Sequence, residues 1–288
     1  MKQSVYSKDI FLILAASFCF MASPMLVTPL ITGFSGSIGA SAALMGVIGG
    51  LTILCALLCR PLAGNLADRI SKYRLSFFGA SLAAVACAGY IASFHPGLVV
   101  LARIVNGVGY ACASVCMSTW LSNLLPKDKI GSGMGFYGMM NALAMAVAPA
   151  IGISVYHAFG YHAAFGVALA FALGAAVLIQ FVGDKGLPAP APAAEEAQPK
   201  KARVRMVDGR VLPIALIVML FAIPYCATQS FLISYVQARD LSVTVSLYFP
   251  MYAAVLLLLR LVLKNWFDRL PFRVFLGACL LSALAGIL

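Results

Sequence analysis

From Ile10 onward the chain repeats one pattern: an apolar run of about twenty residues, a short polar break, and another apolar run. A run of that length crosses the roughly 30 Å hydrocarbon layer as a helix, because inside lipid the backbone N–H and C=O groups must find partners within the segment itself. Eight complete runs are present: Ile10 to Ile31, Ala42 to Ala63, Leu75 to Phe94, Leu98 to Leu121, Gly133 to Tyr156, Ala163 to Val182, Val211 to Tyr235 and Val243 to Leu263. A ninth begins at Val274 and reaches Leu288, roughly 22 Å of helix and short of a comfortable crossing. The expectation is an all-α polytopic membrane protein with eight complete helices and a ninth cut short. The first run is longer than the apolar core of a signal peptide and lacks a small-residue cleavage pattern, so it is expected to stay as a helix.

Composition excludes the soluble alternative. The chain is 62% hydrophobic and 10% charged, whereas water-soluble domains carry about a quarter charged residues. Lys and Arg concentrate at alternate breaks: with the N terminus in the cytoplasm, only Arg239 falls in an outer loop and only Arg103 within a run. This predicts a multi-pass protein of the cell membrane with a cytoplasmic N terminus. The net charge of +11 then fixes orientation and faces the lipid bilayer, with no nucleic acid required. All eight Cys lie inside apolar runs. Cys55/Cys59 and Cys112/Cys116 have the i, i+4 spacing of a helix face, but no acid or His joins them, so they are expected to be packing residues and no metal or cofactor is expected. Acids and His fall on opposite sides of the membrane, which argues against a catalytic cluster and so against an enzyme.

Between the sixth and seventh runs lies a Pro- and Ala-rich, then charged, stretch from Asp184 to Asp208. Its composition cannot bury a core and predicts a flexible cytoplasmic linker. An alternative is a surface helix around Pro199 to Met206 whose Lys and Arg attract lipid headgroups. The expected organisation is a six-helix half over 1–183, a linker over 184–210 and the start of a second half over 211–288. Arg60, Asn65, Asp68 and Arg69 close the second run, and Arg260, Asn265, Asp268 and Arg269 close the eighth. Six helices separate the two copies, the sign of a parallel repeat of six-helix halves.

At these residues the chain resembles the major facilitator superfamily. Its signature Gly-x-Leu-Ala-Asp-Arg-x-Gly-Arg/Lys-Arg/Lys corresponds to Gly64 through Arg74, with Ser71 at the second Gly and Tyr73 interrupting the basic pair. Gly64 is expected to permit a short, tight loop. The resemblance implies that Asp68 and Arg69, with Arg74, latch two halves together on the cytoplasmic side, and that Asp268 and Arg269 are their weaker counterparts. The simpler alternative is that these charges stop helix 2 and set orientation. The stretch Arg103 to Ser114 is similar to the family's helix 4 pattern Arg-x-x-Gln-Gly-x-Gly-x-Ala, with Asn106 in place of Gln and Gly107 matching Gly. Arg103 lies about 10 Å below Pro96, where a charge must face a cavity or a partner. One reading has it contact an anionic substrate group or tune a proton site, the other has it paired structurally. Ala142 to Gly152 resembles the exporters' helix 5 signature, with Ala144 and Ala148 replacing Gly and Pro149 able to bend the helix.

In that fold helices 1, 4, 7 and 10 line a central path. Its polar or bending residues here are Thr28 with Ser23, Pro24 and Pro29, then Asn106, Ser114 and Ser118, then Tyr225, Thr228 and Gln229, with Asn141 joining from helix 5. Fewer than half of the hydroxyls are expected to touch substrate, because Ser and Thr bond readily to their own helix backbone. The set suits a small amphipathic solute. None of the nine acids lies mid-membrane, which leaves a proton site to helices not present or to Asp9, or else passage without coupling. The expected function is a transporter working by alternating access, with efflux favoured, and protons as candidate coupling ion. The alternatives are an uptake permease for a sugar or organic anion and a non-transporting fragment or membrane interaction protein.

Overall fold

The computed structural model describes residues 7–187, 212–213, 215–223, 239, 248–263 and 272–287. The chain divides into two compact units, Met1–Ala194 and Glu195–Leu288. Among the described residues every regular element is helical.

In the first unit α1 spans Lys8–Ser37, α2 Ala42–Arg69, α3 Lys72–Ile91 and α4 Pro96–Leu124, followed by a single 3-10 turn at Lys127–Lys129 and α5 at Ile130–Gln180. The starts are written in the sequence. Ser7 Oγ accepts from the Ile10 amide and Ser41 Oγ from the Leu44 amide, and His95 caps α4, with Pro96 at the first helical position where its missing N–H costs nothing. Each of the five is long and apolar enough to cross a membrane. α5, at 51 residues, would extend roughly 75 Å if straight, more than two crossings need. Gly160 breaks it with φ of 81° and ψ of 179°, a conformation that a residue with a Cβ resists. The fifth and sixth apolar runs are therefore two helical segments joined by one glycine, where a loop was expected from Tyr156 to Ala163.

The helices also run past the apolar runs at most ends, because hydropathy finds only the part that lies in hydrocarbon while hydrogen bonding continues into the polar layer. The clearest case is α2. It continues through the signature residues as far as Arg69, so Gly64 is a mid-helix residue and not the residue of a tight loop. The connection to α3 is only Ile70 and Ser71.

Small residues set the packing. Gly107 of α4 rests on α2, where a Cβ would stand 2.6 Å from the Cys55 Cβ and 2.7 Å from the Thr52 carbonyl oxygen. Gly152 of α5 rests on α1 in the same way, 2.7 Å from Leu26 Cγ. α3 and α4 meet at Gly79 and Gly109, each of which would drive a Cβ to 2.7 Å from the other's carbonyl oxygen. Such contacts let dispersion and not water exclusion hold helices together, as lipid requires. Among the described residues three apolar clusters fill the interior, the smallest joining Ala56, Leu75 and Cys116. Of the two larger ones, one joins Phe20, Met117, Trp120 and Ile179, and the other Phe34, Tyr90, Ile48 and Phe165.

In the second unit α6 spans Tyr248–Leu263 and α7 spans Phe272–Ile287, and residues 212–213 and 215–223 are helical.

Candidate functional site

Two groups of residues carry the site within the first unit: the charged turn between α2 and α3, and the polar side chains set among the helices. Asp68 and Arg69 lie in the last turn of α2 and Arg74 in the first turn of α3, all exposed. Arg69 suits the negative end of the α2 dipole. Asp68 at that same end is electrostatically unfavourable, so stopping the helix does not account for it. Ser71 and Lys72, between them, are buried. Gly64 has open space where a Cβ would point. Asp268 and Arg269, together with Tyr225 and Gln229, lie outside the described residues.

Deeper in the bundle, Arg103 is 2% exposed. Its Nε donates to the Ile48 carbonyl at 2.9 Å and one terminal nitrogen donates to the Gly49 carbonyl, also at 2.9 Å. Thr52 Oγ1 returns a bond to the Arg103 carbonyl at 3.3 Å. The partner that a charge at this depth requires is thus the backbone of α2, next to the close contact made by Gly107. Two of the five guanidinium N–H groups are used in this way. The Tyr90 hydroxyl of α3 and Asn106 lie beside the guanidinium, yet the Tyr90 oxygen and Asn106 Nδ2 are buried without a hydrogen-bond partner among the described residues.

A second polar set lies between α1 and α5. Tyr137 sits alongside Ser17 and Asn141, and the Ser17 Oγ and Asn141 Oδ1 atoms are likewise buried and unpaired. An orphaned buried polar atom costs about 1–3 kcal/mol, and the polar groups facing these atoms are members of the same sets, Arg103, Tyr90 and Asn106 in one and Tyr137, Ser17 and Asn141 in the other. Asn106 and Asn141 were legible in the sequence. Tyr90, Tyr137 and Ser17 were not, although the i, i+4 spacing of Tyr137 and Asn141 places them on one face and could have signalled the first of these pairs.

Of the other hydroxyls on the path, Ser23 Oγ pairs with Cys87 Sγ at 3.4 Å, while Thr28 and Ser118 bond to their own helix backbone. Thr28 donates to the Pro24 carbonyl at 2.7 Å and Ser118 to the Val115 carbonyl at 2.9 Å. Thr28 is exposed and Pro149, inside α5, is half-buried. Ala144, Ala148 and Gly152 form a buried small-residue face of α5. Asp9, the candidate proton site near the mouth of α1, accepts the Gly183 and Asp184 amides at 3.0 and 3.1 Å.

The sequence profile of the Major Facilitator Superfamily matches residues 13–288. The chain belongs to that superfamily. It is 26% identical over 205 residues to the uncharacterized MFS-type transporter YhhS of Escherichia coli (strain K12), covering 68% of this chain and 48% of YhhS. It is 23% identical over 121 residues to the staphylopine export protein of Staphylococcus aureus (strain Mu50), covering 42% of this chain and 30% of that protein. The crystal structure of the human organic anion transporter MFSD10 (TETRAN) superposes with a TM-score of 0.62 over 89% of this chain and 70% of the other, at 16% identity. That likeness supports the all-α membrane fold of this superfamily. The chain spans about half the length of YhhS.

Proposed function

We propose that the chain forms part of a transporter that moves a small amphipathic solute out of the cell by alternating access between two six-helix halves. The halves are 1–183 and the part beginning at 211, joined by 184–210. The membrane is the cell membrane and the N terminus is cytoplasmic, as the distribution of Lys and Arg supports. The observation that carries efflux is the helix 5 stretch. Its Ala144, Ala148 and Gly152 form the face buried in the bundle, and Gly152 seats α5 against Leu26 of α1, the helix that bears Thr28. An exporter among its relatives supports the same direction.

In this reading Asp68, Arg69 and Arg74 form the latch of the outward-open state, with Asp268 and Arg269 as the second-half counterpart. Asn106, Gly107, Asn141, Pro149 and Thr28, with Tyr225 and Gln229, supply the polar points and bends of an otherwise apolar path. Arg103 holds the α2–α4 wall beside Asn106. Protons are the candidate coupling ion.

The test is transport of an amphipathic fluorescent dye in inverted and right-side-out membrane vesicles containing the full-length protein, with and without a pH gradient. Efflux predicts accumulation in inverted vesicles only. Accumulation in right-side-out vesicles would replace export by uptake, and dependence on the gradient would identify protons as the coupling ion.

A further inference from the structure

The two places where the α2–α3 turn departs from the family signature, Ser71 and Tyr73, both hold the same piece of chain. Residues 183–187, which begin the stretch joining the two halves, lie across the ends of three helices. Ser71 occupies the N-cap position of α3 but makes no side-chain cap; its hydroxyl donates to the Lys185 carbonyl. The Lys72 N–H, at the first position of α3 and without an intrahelical acceptor, donates to the Gly186 carbonyl at 2.9 Å. The Tyr73 hydroxyl donates to Gln180 Oε1. Its ring lies under the Lys185 ammonium at 4.4 Å, stacks on Phe77 and meets Trp120 edge-on. Lys185 Nζ donates to the Gln180 and Val182 carbonyls at 3.1 and 2.9 Å and so closes the end of α5. Asp9, in the first turn of α1, accepts the Gly183 and Asp184 amides.

Gly186 fits this seat because it is glycine. Its φ is +55°, and a Cβ would stand 2.9 Å from both the Lys72 Cβ and the Trp120 Nε1. A chain end with a polar, Pro-rich composition is expected to be loose. Here its first residues instead satisfy helix-terminal groups that would otherwise need water.

We infer that Ser71, Tyr73 and Asp9 form a clasp that fixes residues 183–187 to the α2–α3 turn. The stretch joining the halves therefore leaves the first half from the turn that carries Asp68, Arg69 and Arg74, and not from the end of α5. A movement of that turn pulls on the connection directly. The role of this coupling in transport rests on the latch reading above; the clasp itself does not.

Hydrogen–deuterium exchange of the full chain in lipid nanodiscs tests it. The amides of Lys72, Gly183, Asp184 and Gly186 are expected to be protected in the unmodified protein. Ser71→Gly, which restores the family residue, accelerates exchange over 183–187 about fivefold, the effect of one lost hydrogen bond. Asp9→Asn and Gly186→Ala accelerate it further, and α4 peptides keep their protection in all three variants. Residues 183–187 exchanging at the unstructured-peptide rate in the unmodified protein, or unaltered exchange in Ser71→Gly and Asp9→Asn, would overturn the clasp. Asp68→Asn leaves exchange over 183–187 unchanged, so a failed latch and a failed clasp give different results.

Discussion

The guanidinium of Arg103 on α4 donates from Nε to the carbonyl of Ile48 on α2 at 2.9 Å, with the neighbouring Gly49 carbonyl taking a second bond from the same fork. A planar group with fixed donors can bridge two successive carbonyls, which a lysine ammonium on a flexible stem does poorly. Arg103→Lys keeps the charge and loses this bridge. It is expected to cost about 2 kcal/mol, the range of hydrogen bonds from a charged donor, seen as a lower midpoint of thermal unfolding in detergent. Transport per folded molecule should hold. A loss of transport by well-folded Arg103→Lys would instead place the residue on the substrate.

The glycines of the superfamily patterns divide into two kinds, and substitution by Ala separates them. At Gly107 the added methyl collides with the Cys55 Cβ and the Thr52 carbonyl, so Gly107→Ala forces α2 and α4 apart. A destabilisation of about 1–3 kcal/mol is expected for such overpacking. At Gly64 nothing lies within 4 Å, and Ala in a helix interior is worth about 0.5–1 kcal/mol over Gly. Gly64→Ala should raise the unfolding midpoint. A simultaneous loss of transport would show that Gly64 is kept for an approach made by the second half during the cycle, whereas unchanged transport would remove it from the latch.

The fold was largely legible because lipid imposes a single rule on every segment: cross as a helix and keep charge out of the core. What the sequence could not show are the relations between helices. Hydropathy marked where α2 leaves the hydrocarbon at Ala63, but not that hydrogen bonding continues to Arg69. It marked a break between Tyr156 and Ala163, but not that Gly160 alone makes it. Arg103 stood out at once as a buried charge. Its partners could not be read, because Ile48 and Gly49 contribute carbonyls and any residue has one. The composition of the stretch from Asp184 to Asp208 argued for a loose linker and could not show that its first residues are seated, nor that the Asp9 carboxylate accepts the Gly183 and Asp184 amides. Tyr73 looked like damage to a basic pair until Gln180 and Lys185 supplied its partners.

Among the described residues Asn106 Nδ2 and Asn141 Oδ1 are buried without a hydrogen bond of good geometry, beside the Tyr90 and Tyr137 hydroxyls. If a transported solute or its water completes them, replacement by an apolar residue of similar volume removes a cost from the empty protein and a contact from the loaded one. Asn106→Leu and Asn141→Leu are therefore expected to leave the unfolding midpoint unchanged or raise it by an amount worth about 1 kcal/mol. Both should raise the concentration of dye needed for half-maximal transport. A lowered midpoint in either variant would mean that the amide already holds a structural partner and has no part in the path.

Asp68 lies at the negative end of the α2 dipole, exposed, one residue before Arg69, and its charge works against its own helix. Neutralising it should therefore leave the first half as stable as before or slightly more so, by about 0.3–1 kcal/mol. If the charge serves the latch, Asp68→Asn reduces transport while membrane insertion and unfolding midpoint are preserved. The latched state should also lose occupancy, seen as greater labelling by a membrane-impermeant thiol reagent of a cysteine placed at Arg74 and approached from the cytoplasmic side. Unchanged transport in Asp68→Asn would leave the turn with orientation and the clasp on 183–187 as its only tasks.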